Sequence, residues 1–203
     1  MWRSKIPPRV AFFSWIAALG NILTLDRLWN KGVPILDWCF MCKRSRELVN
    51  HLLLNCPIAF ELWSMVWSLF GVIWVMPQIV ADLFTSWQGP FGRQHNIDLW
   101  RAVPHCVLWC LWRERNSRCF EGIERSILEI KSLLLHSLFA WCSIFSSFSC
   151  FNIFVMLDHC NFRPGCTLPV YLGLLFNDIS FFIPKKKKKK NPTYGTPYLS
   201  VPN

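Results

Sequence analysis

Four residues in the first third of the chain have the types and spacing of a metal site. They are Cys39, Cys42, His51 and Cys56, in the pattern C-x2-C-x8-H-x4-C. Zn²⁺ takes four soft or borderline ligands in a tetrahedron, and three thiolates with one imidazole make a closed structural set. The C-x2-C spacing lets a tight turn present two sulfurs to one ion. The H-x4-C spacing asks more of the backbone. Five residues of continuous α-helix turn through about 500°, which would leave His51 and Cys56 roughly 140° apart. Pro57 removes the difficulty, because the residue before a proline is driven out of the helical region. Cys56 can then swing back toward His51. With four protein ligands there is no open position for a water, so the chemistry expected is structural rather than catalytic. Three thiolates on Zn²⁺ leave a charge of about −1. Lys43, Arg44 and Arg46 lie beside the ligands in sequence. They can neutralise that charge, contact phosphates of RNA or DNA, or do both.

Other groups are weaker candidates. His105, Cys106 and Cys110 fall on an apolar helix face and read as core. His159, Cys160 and Cys166 lack a partner pair at ligand spacing. A polymerase needs paired aspartates to hold two Mg²⁺ ions. Here Asp26, Asp37, Asp82, Asp98, Asp158 and Asp178 are all isolated. No P-loop, Gly-x-Ser-x-Gly or His-Glu-x-x-His occurs. The expectation is therefore no catalytic residue, no enzyme activity and no small-molecule substrate.

The elements that must position the ligands are helical. Pro7-Pro8 suits a helix start, and Phe12, Trp15, Ile16 and Leu19 then recur at the spacing of one helix face, with Gly20 as a stop. Thr24 has the character of an N-cap for a short helix over 24–31, with Asp26 in its first turn and Gly32 and Pro34 beyond its end. Pro57 opens a further helix, in which Phe60, Trp63, Val66, Trp67 and Phe70 are apolar at helical spacing and Gly71 closes the run. Trp15, Trp29, Trp63 and Trp67 are expected to pack near the ion. Much of 71–95 reads as a connection, because Gly and Pro recur through it. Residues 96–119 read as a helix with Leu99, Val103, Cys106, Val107, Cys110 and Leu111 along one side, kinked or divided at Pro104. Ile123–Leu138 reads as an amphipathic helix with Glu124, Arg125, Glu129 and Lys131 on its polar side.

The fold class expected is mainly α: a small helical zinc-binding module over 1–75, a linker over 76–95 and a helical segment over 96–160. An irregular or disordered tail over 161–203 follows. Hydrophobic residues make up 53% of the 203, which excludes a polar disordered chain. The net charge of +10 is misleading, since Lys185–Lys190 supply six of the 22 basic residues. Residues 1–60 keep a basic excess, with eight Lys/Arg against three Asp/Glu, and this favours a polyanionic partner. Ten cysteines in 203 residues fall short of a disulfide scaffold, so a reducing compartment, nucleus or cytoplasm, is expected over secretion. Leu133–Leu157 carries no formal charge over 25 residues, enough to cross a bilayer. A small membrane-anchored protein is thus the alternative reading.

Residues 2–63 resemble the zinc-binding domain of reverse transcriptases from plant non-LTR (LINE-type) retrotransposons. The resemblance lies in Trp2-Arg-Ser-Lys-Ile-Pro-Pro-Arg-Val, Phe12-Phe13-x-Trp15, Leu23-Thr24-x-Asp26-x-Leu28, and the framework Cys39/Cys42/Glu47/His51-Leu52/Cys56-Pro57/Trp63. Trp109-Cys-Leu-Trp112-Arg-Glu-Arg-Asn116-Ser-Arg-Cys-Phe120 resembles the helix that often closes these polyproteins, extending the likeness to about residue 160. Phe40, Lys43 and Leu48 depart from the family's usual Pro, Gly and small hydroxyl residue without removing a ligand. The resemblance implies a role beside a polymerase, holding template RNA or target DNA. With the polymerase motifs absent, the chain reads as a fragment of such an element. Its lysine run then reads as a translated poly(A) tract rather than a nuclear-localisation signal.

Overall fold

A computed structural model describes residues 6–32, 38–87 and 97–145. The tail over 161–203, with its lysine run, lies outside these residues, as do His159, Cys160 and Cys166. So do residues 146–157 of the long uncharged stretch. Among the described residues the chain is helical and contains no strand.

Helix α1, Pro8–Ala18, starts at the proline pair as expected, and Gly20 follows with φ +66°. Its buried face is not the expected one. Val10, Phe13, Ser14 and Ala17 are buried, whereas Phe12 and Leu19 are each 54% exposed and Trp15 is 42% exposed. The buried set has the same i, i+3, i+4, i+7 spacing as the expected one but includes the polar Ser14, so apolar periodicity pointed to the other face. Ser14 and Ala17 are small, so the helix lies close to its neighbour while Phe13 meets Trp109 edge-on and stacks on Trp112.

Helix α2, Leu25–Trp29, is the short helix expected after Thr24. Thr24 sits at its N-cap in extended conformation, but its hydroxyl does not cap the helix. Helix α3, Pro57–Phe70, opens at Pro57 and closes at Gly71, whose φ of +60° fits a left-handed C-cap. Trp63 and Val66 are fully buried and Phe60 is exposed. The Trp63 indole donates to the Leu53 carbonyl at 3.0 Å. Trp29, like Trp15, is largely exposed, so of the four tryptophans expected around the ion Trp63 is fully buried and Trp67 partly so.

Within the stretch read as a connection, Val80–Ser86 forms helix α4. Val80 and Leu83 bury themselves in the core, and the Asn50 side-chain oxygen accepts the Val80 amide at 3.2 Å. Helix α5, Ile97–Asn116, runs continuously through Pro104 and is not divided there. Its apolar side is the one expected, Leu99 to Leu111. Helix α6, Ile127–Phe145, starts later than the expected Ile123. Ser126 and Glu129 form a capping box: the Ser126 hydroxyl accepts the Glu129 amide, and the Glu129 carboxylate accepts the Ser126 amide at 2.7 Å.

Residues Ile127–Ile144 of α6 are long and apolar enough to cross a membrane by length and composition. In this fold Ile130, Leu134, Leu135, Leu138, Trp141 and Cys142 of α6 are buried in the core, where α6 packs along α5. That core is continuous from Ile6 to Cys142. An aromatic cluster lies within it, where Trp87 stacks on Trp100 at 4.2 Å and meets Trp63 and Trp74. The described cysteines are all free thiols.

Candidate metal centre

Cys39 and Cys42 flank a turn that ends at Ser45. The Lys43 amide donates to the Cys39 carbonyl at 2.8 Å, and the Cys39 amide donates to the Ser45 carbonyl at 2.7 Å. Closing this loop requires Lys43 to take a φ of +56°, the left-handed region. Glycine enters that region freely and lysine does not. The knuckle thus keeps its turn although Lys43 stands where the resembling family usually has glycine.

His51–Asn55 form a single π-helical turn, in which the Cys56 amide donates to the His51 carbonyl at 2.6 Å. A bond from i+5 to i closes one turn over five residues. His51 and Cys56 therefore come to one side of the chain, which an α-helix would have prevented. Cys56 itself is extended, with ψ 137°, and Pro57 follows as the first residue of α3. The break at Pro57 was legible from sequence; the widened turn before it was not. Leu52, Leu53 and Leu54 fill that turn and are fully buried, which holds it in place.

The ligand atoms of Cys39, Cys42, His51 and Cys56 all lie within 4.8 Å of one another. Sulfurs placed tetrahedrally about 2.3 Å from Zn²⁺ stand about 3.8 Å apart, so the cluster has the dimensions of such a site. The Cys42 sulfur lies 3.3 Å from His51 Nε2. Cys39 and Cys56 are buried, and Cys42 and His51 are half-buried. A hydrogen bond between the Cys39 and Cys56 sulfurs raises the first thiol's pKa and lowers the second's, with burial pushing both up. Burial also pushes the His51 imidazole below its usual range, against the opposing pull of the Glu47 carboxylate. A neutral imidazole is the form that ligates a metal. Of the groups that chemistry allows, four-coordinate Zn²⁺ fits this donor set, with Cys39, Cys42, His51 and Cys56 as its holders.

Lys43, Arg44 and Arg46 are all exposed on the loop between Cys42 and Glu47. The Lys43 ammonium is paired with Glu124 at 2.6 Å. Sequence reasoning assigned no role to Glu47, Arg115 or Arg118. Glu47 is fully buried. Its Oε1 accepts from Arg115 Nε and Nη2 at 3.0 and 2.7 Å and from the Leu25 amide at 3.2 Å, while its Oε2 accepts the Phe40 amide at 3.3 Å. The carboxylate therefore supplies at the start of α2 the acceptor that Thr24 does not. Its signal in the sequence was its place in the framework Cys39/Cys42/Glu47/His51 that carries the family resemblance. The partner, 68 residues away, left no local trace. His105, Cys106 and Cys110 are buried in the core, as their apolar surroundings implied.

Residues 1–63 match the family model described as zinc-binding in reverse transcriptase. The chain is 20% identical over 139 residues to an Arabidopsis thaliana protein provisionally named a ribonuclease H protein, a match covering 61% of this chain and 21% of that one. It thus spans about a fifth of the length of that curated relative. No solved structure matches. The cysteine–histidine cluster of zinc dimensions thus lies within the segment that matches the zinc-binding family of reverse transcriptases.

Proposed function

We propose that the chain is a noncatalytic module in which Zn²⁺ orders the loop Cys39–Cys56 and that loop contacts RNA or DNA. The observation that carries this reading is the placement of Lys43, Arg44 and Arg46, exposed on the very turn whose ends are metal ligands. A cation on such a turn has a defined position without a side-chain cost beyond its own. The family match and the ribonuclease H name of the Arabidopsis relative both come from proteins that handle nucleic acid, which supports the same partner. A closed four-ligand set leaves no position for a substrate or water, which supports a structural ion. Lys43, Arg44 and Arg46 are the phosphate contacts in this reading, and Lys43 also pairs with Glu124.

The test is a zinc-to-protein ratio on the full chain, with binding to single-stranded RNA and duplex DNA measured between 50 and 200 mM salt as about the useful range. One ion per chain is expected, and Cys39→Ser or His51→Ala should abolish it. Replacing Arg44 and Arg46 together by Ala should flatten the log–log salt dependence on single strands by about 1.4, two phosphates at roughly 0.7 each. Equal slopes for the wild type and the double variant would remove the loop from the interface.

A further inference from the structure

The family match ends at residue 63, yet the backbone between the first two ligands is held by side chains from residues 115–118. Phe40 and Met41 are the two residues between Cys39 and Cys42. The Phe40 amide donates to Glu47, which is itself gripped by Arg115 through two hydrogen bonds. The Met41 carbonyl accepts from Arg118 Nη1 at 2.9 Å. Both arginines are buried, with side chains 2% and 5% exposed. Arg115 also lies over the Phe40 ring at 5.6 Å.

The arginines are in turn fixed. Arg118 pairs with Glu114 at 2.8 Å and with Glu124 at 3.0 Å, and it donates to the Arg125 carbonyl. It stands on a second π-helical turn, Ser117–Glu121, which widens the end of α5 and closes at Gly122 with φ +65°. The molecule thus has two π-turns among its described residues, one carrying His51 toward the ligands and one carrying Arg118 toward the turn between the other two.

We propose that Arg115 and Arg118 are positioning residues of the zinc centre, acting through Glu47 and the Met41 carbonyl to hold the Cys39–Cys42 turn in its ligating geometry. The metal centre of this chain is then a composite of residues 39–56 and 114–125. Outer-shell partners of this kind change metal affinity by about 10- to 100-fold when removed. The inference rests on the zinc reading above and extends its boundary.

The experiment measures zinc affinity of the full-length chain by chelator competition, with Co²⁺ spectra as a report on thiolate geometry. Three variants are compared with the wild type. Arg118→Met removes the donor to Met41. The double change Glu47→Gln with Arg115→Met removes the second clamp without leaving a buried charge unpaired. Leu138→Ala, on the buried face of α6, lowers global stability away from the centre and serves as the control. The expected result is a zinc affinity reduced about 10- to 100-fold in either clamp variant that folds, with altered thiolate-to-cobalt charge-transfer bands, and unchanged in Leu138→Ala. Wild-type affinity in a folded clamp variant would overturn the proposal. So would an equal loss in all three variants, since that traces to stability alone. A wild type that takes up no zinc would instead overturn the metal centre itself.

Discussion

Lys43 shows how a single residue carries strain for a site. Its left-handed backbone closes the turn that presents Cys39 and Cys42, and a side chain there costs about 1 kcal/mol relative to glycine. The compensating ion pair with Glu124 is half-exposed and contributes little. Lys43→Gly should therefore raise the stability of the zinc-loaded chain by about 1 kcal/mol in chemical denaturation. Lys43→Ala keeps the strain and should bring no gain; a gain equal to that of glycine would show that the left-handed backbone is not what costs stability at this position. His105 is the other residue with a readable consequence. Burial holds its pKa down at about 4, and its Nδ1 has no hydrogen-bond partner. It is neutral in the folded chain and protonates near 6.5 when unfolded. The unfolded state thus binds the extra proton between those values, and stability falls as pH drops from about 6.5 to about 4, by roughly 3 kcal/mol. Above pH 6.5 the group contributes no pH dependence. Urea titrations of the wild type and His105→Leu should diverge across that window and run parallel above it. Parallel curves throughout would mean that the imidazole is not buried neutral.

At the scale of elements, helix ends decide more than helix interiors. Ser126 and Glu129 satisfy each other's amides at the start of α6, so Ser126→Ala should cost about 1 kcal/mol. Thr24 occupies the equivalent position before α2, but Glu47 accepts the Leu25 amide instead. Thr24→Val keeps the shape and should cost far less than Ser126→Ala in thermal unfolding; the reverse order would return the capping role to the Thr24 hydroxyl. The S-x-x-E pattern at 126–129 was present in the sequence and sets the start of α6 at Ile127, beyond the expected Ile123. The π-turn at His51–Asn55 had no such signature. It differs from an α-turn by one residue's worth of hydrogen-bond register, and it is kept because Leu52, Leu53 and Leu54 are all buried by helices that come later in the chain.

For the whole molecule, the zinc-binding segment and α5–α6 share one core rather than two. Trp63 of α3 meets Trp87, which stacks on Trp100 of α5, and Phe13 of α1 packs on Trp109 and Trp112. The buried Glu47–Arg115 pair adds a charged tie through the same interface. Breaking one partner of such a pair strands a buried charge and costs roughly 3–5 kcal/mol. The stability of the metal loop and that of the α5 terminus are therefore coupled, although 68 residues separate the two side chains. Within the described part of the uncharged run, Leu134, Leu135 and Leu138 turn into the core while Leu133 and Ile144 stay exposed.

Sequence alone determined which four side chains converge, the need for a break before Pro57, the helical class and the ends at Gly71 and Gly20. Each follows from chemistry confined to a few neighbouring residues: donor type, the proline clash, a left-handed glycine. Tertiary structure decided which face α1 buries, that α4 forms within a Gly- and Pro-bearing stretch, and that Glu47 is gripped by Arg115. Those outcomes depend on the shape and charge of surfaces that meet only after the chain has folded, and local spacing carries no record of them.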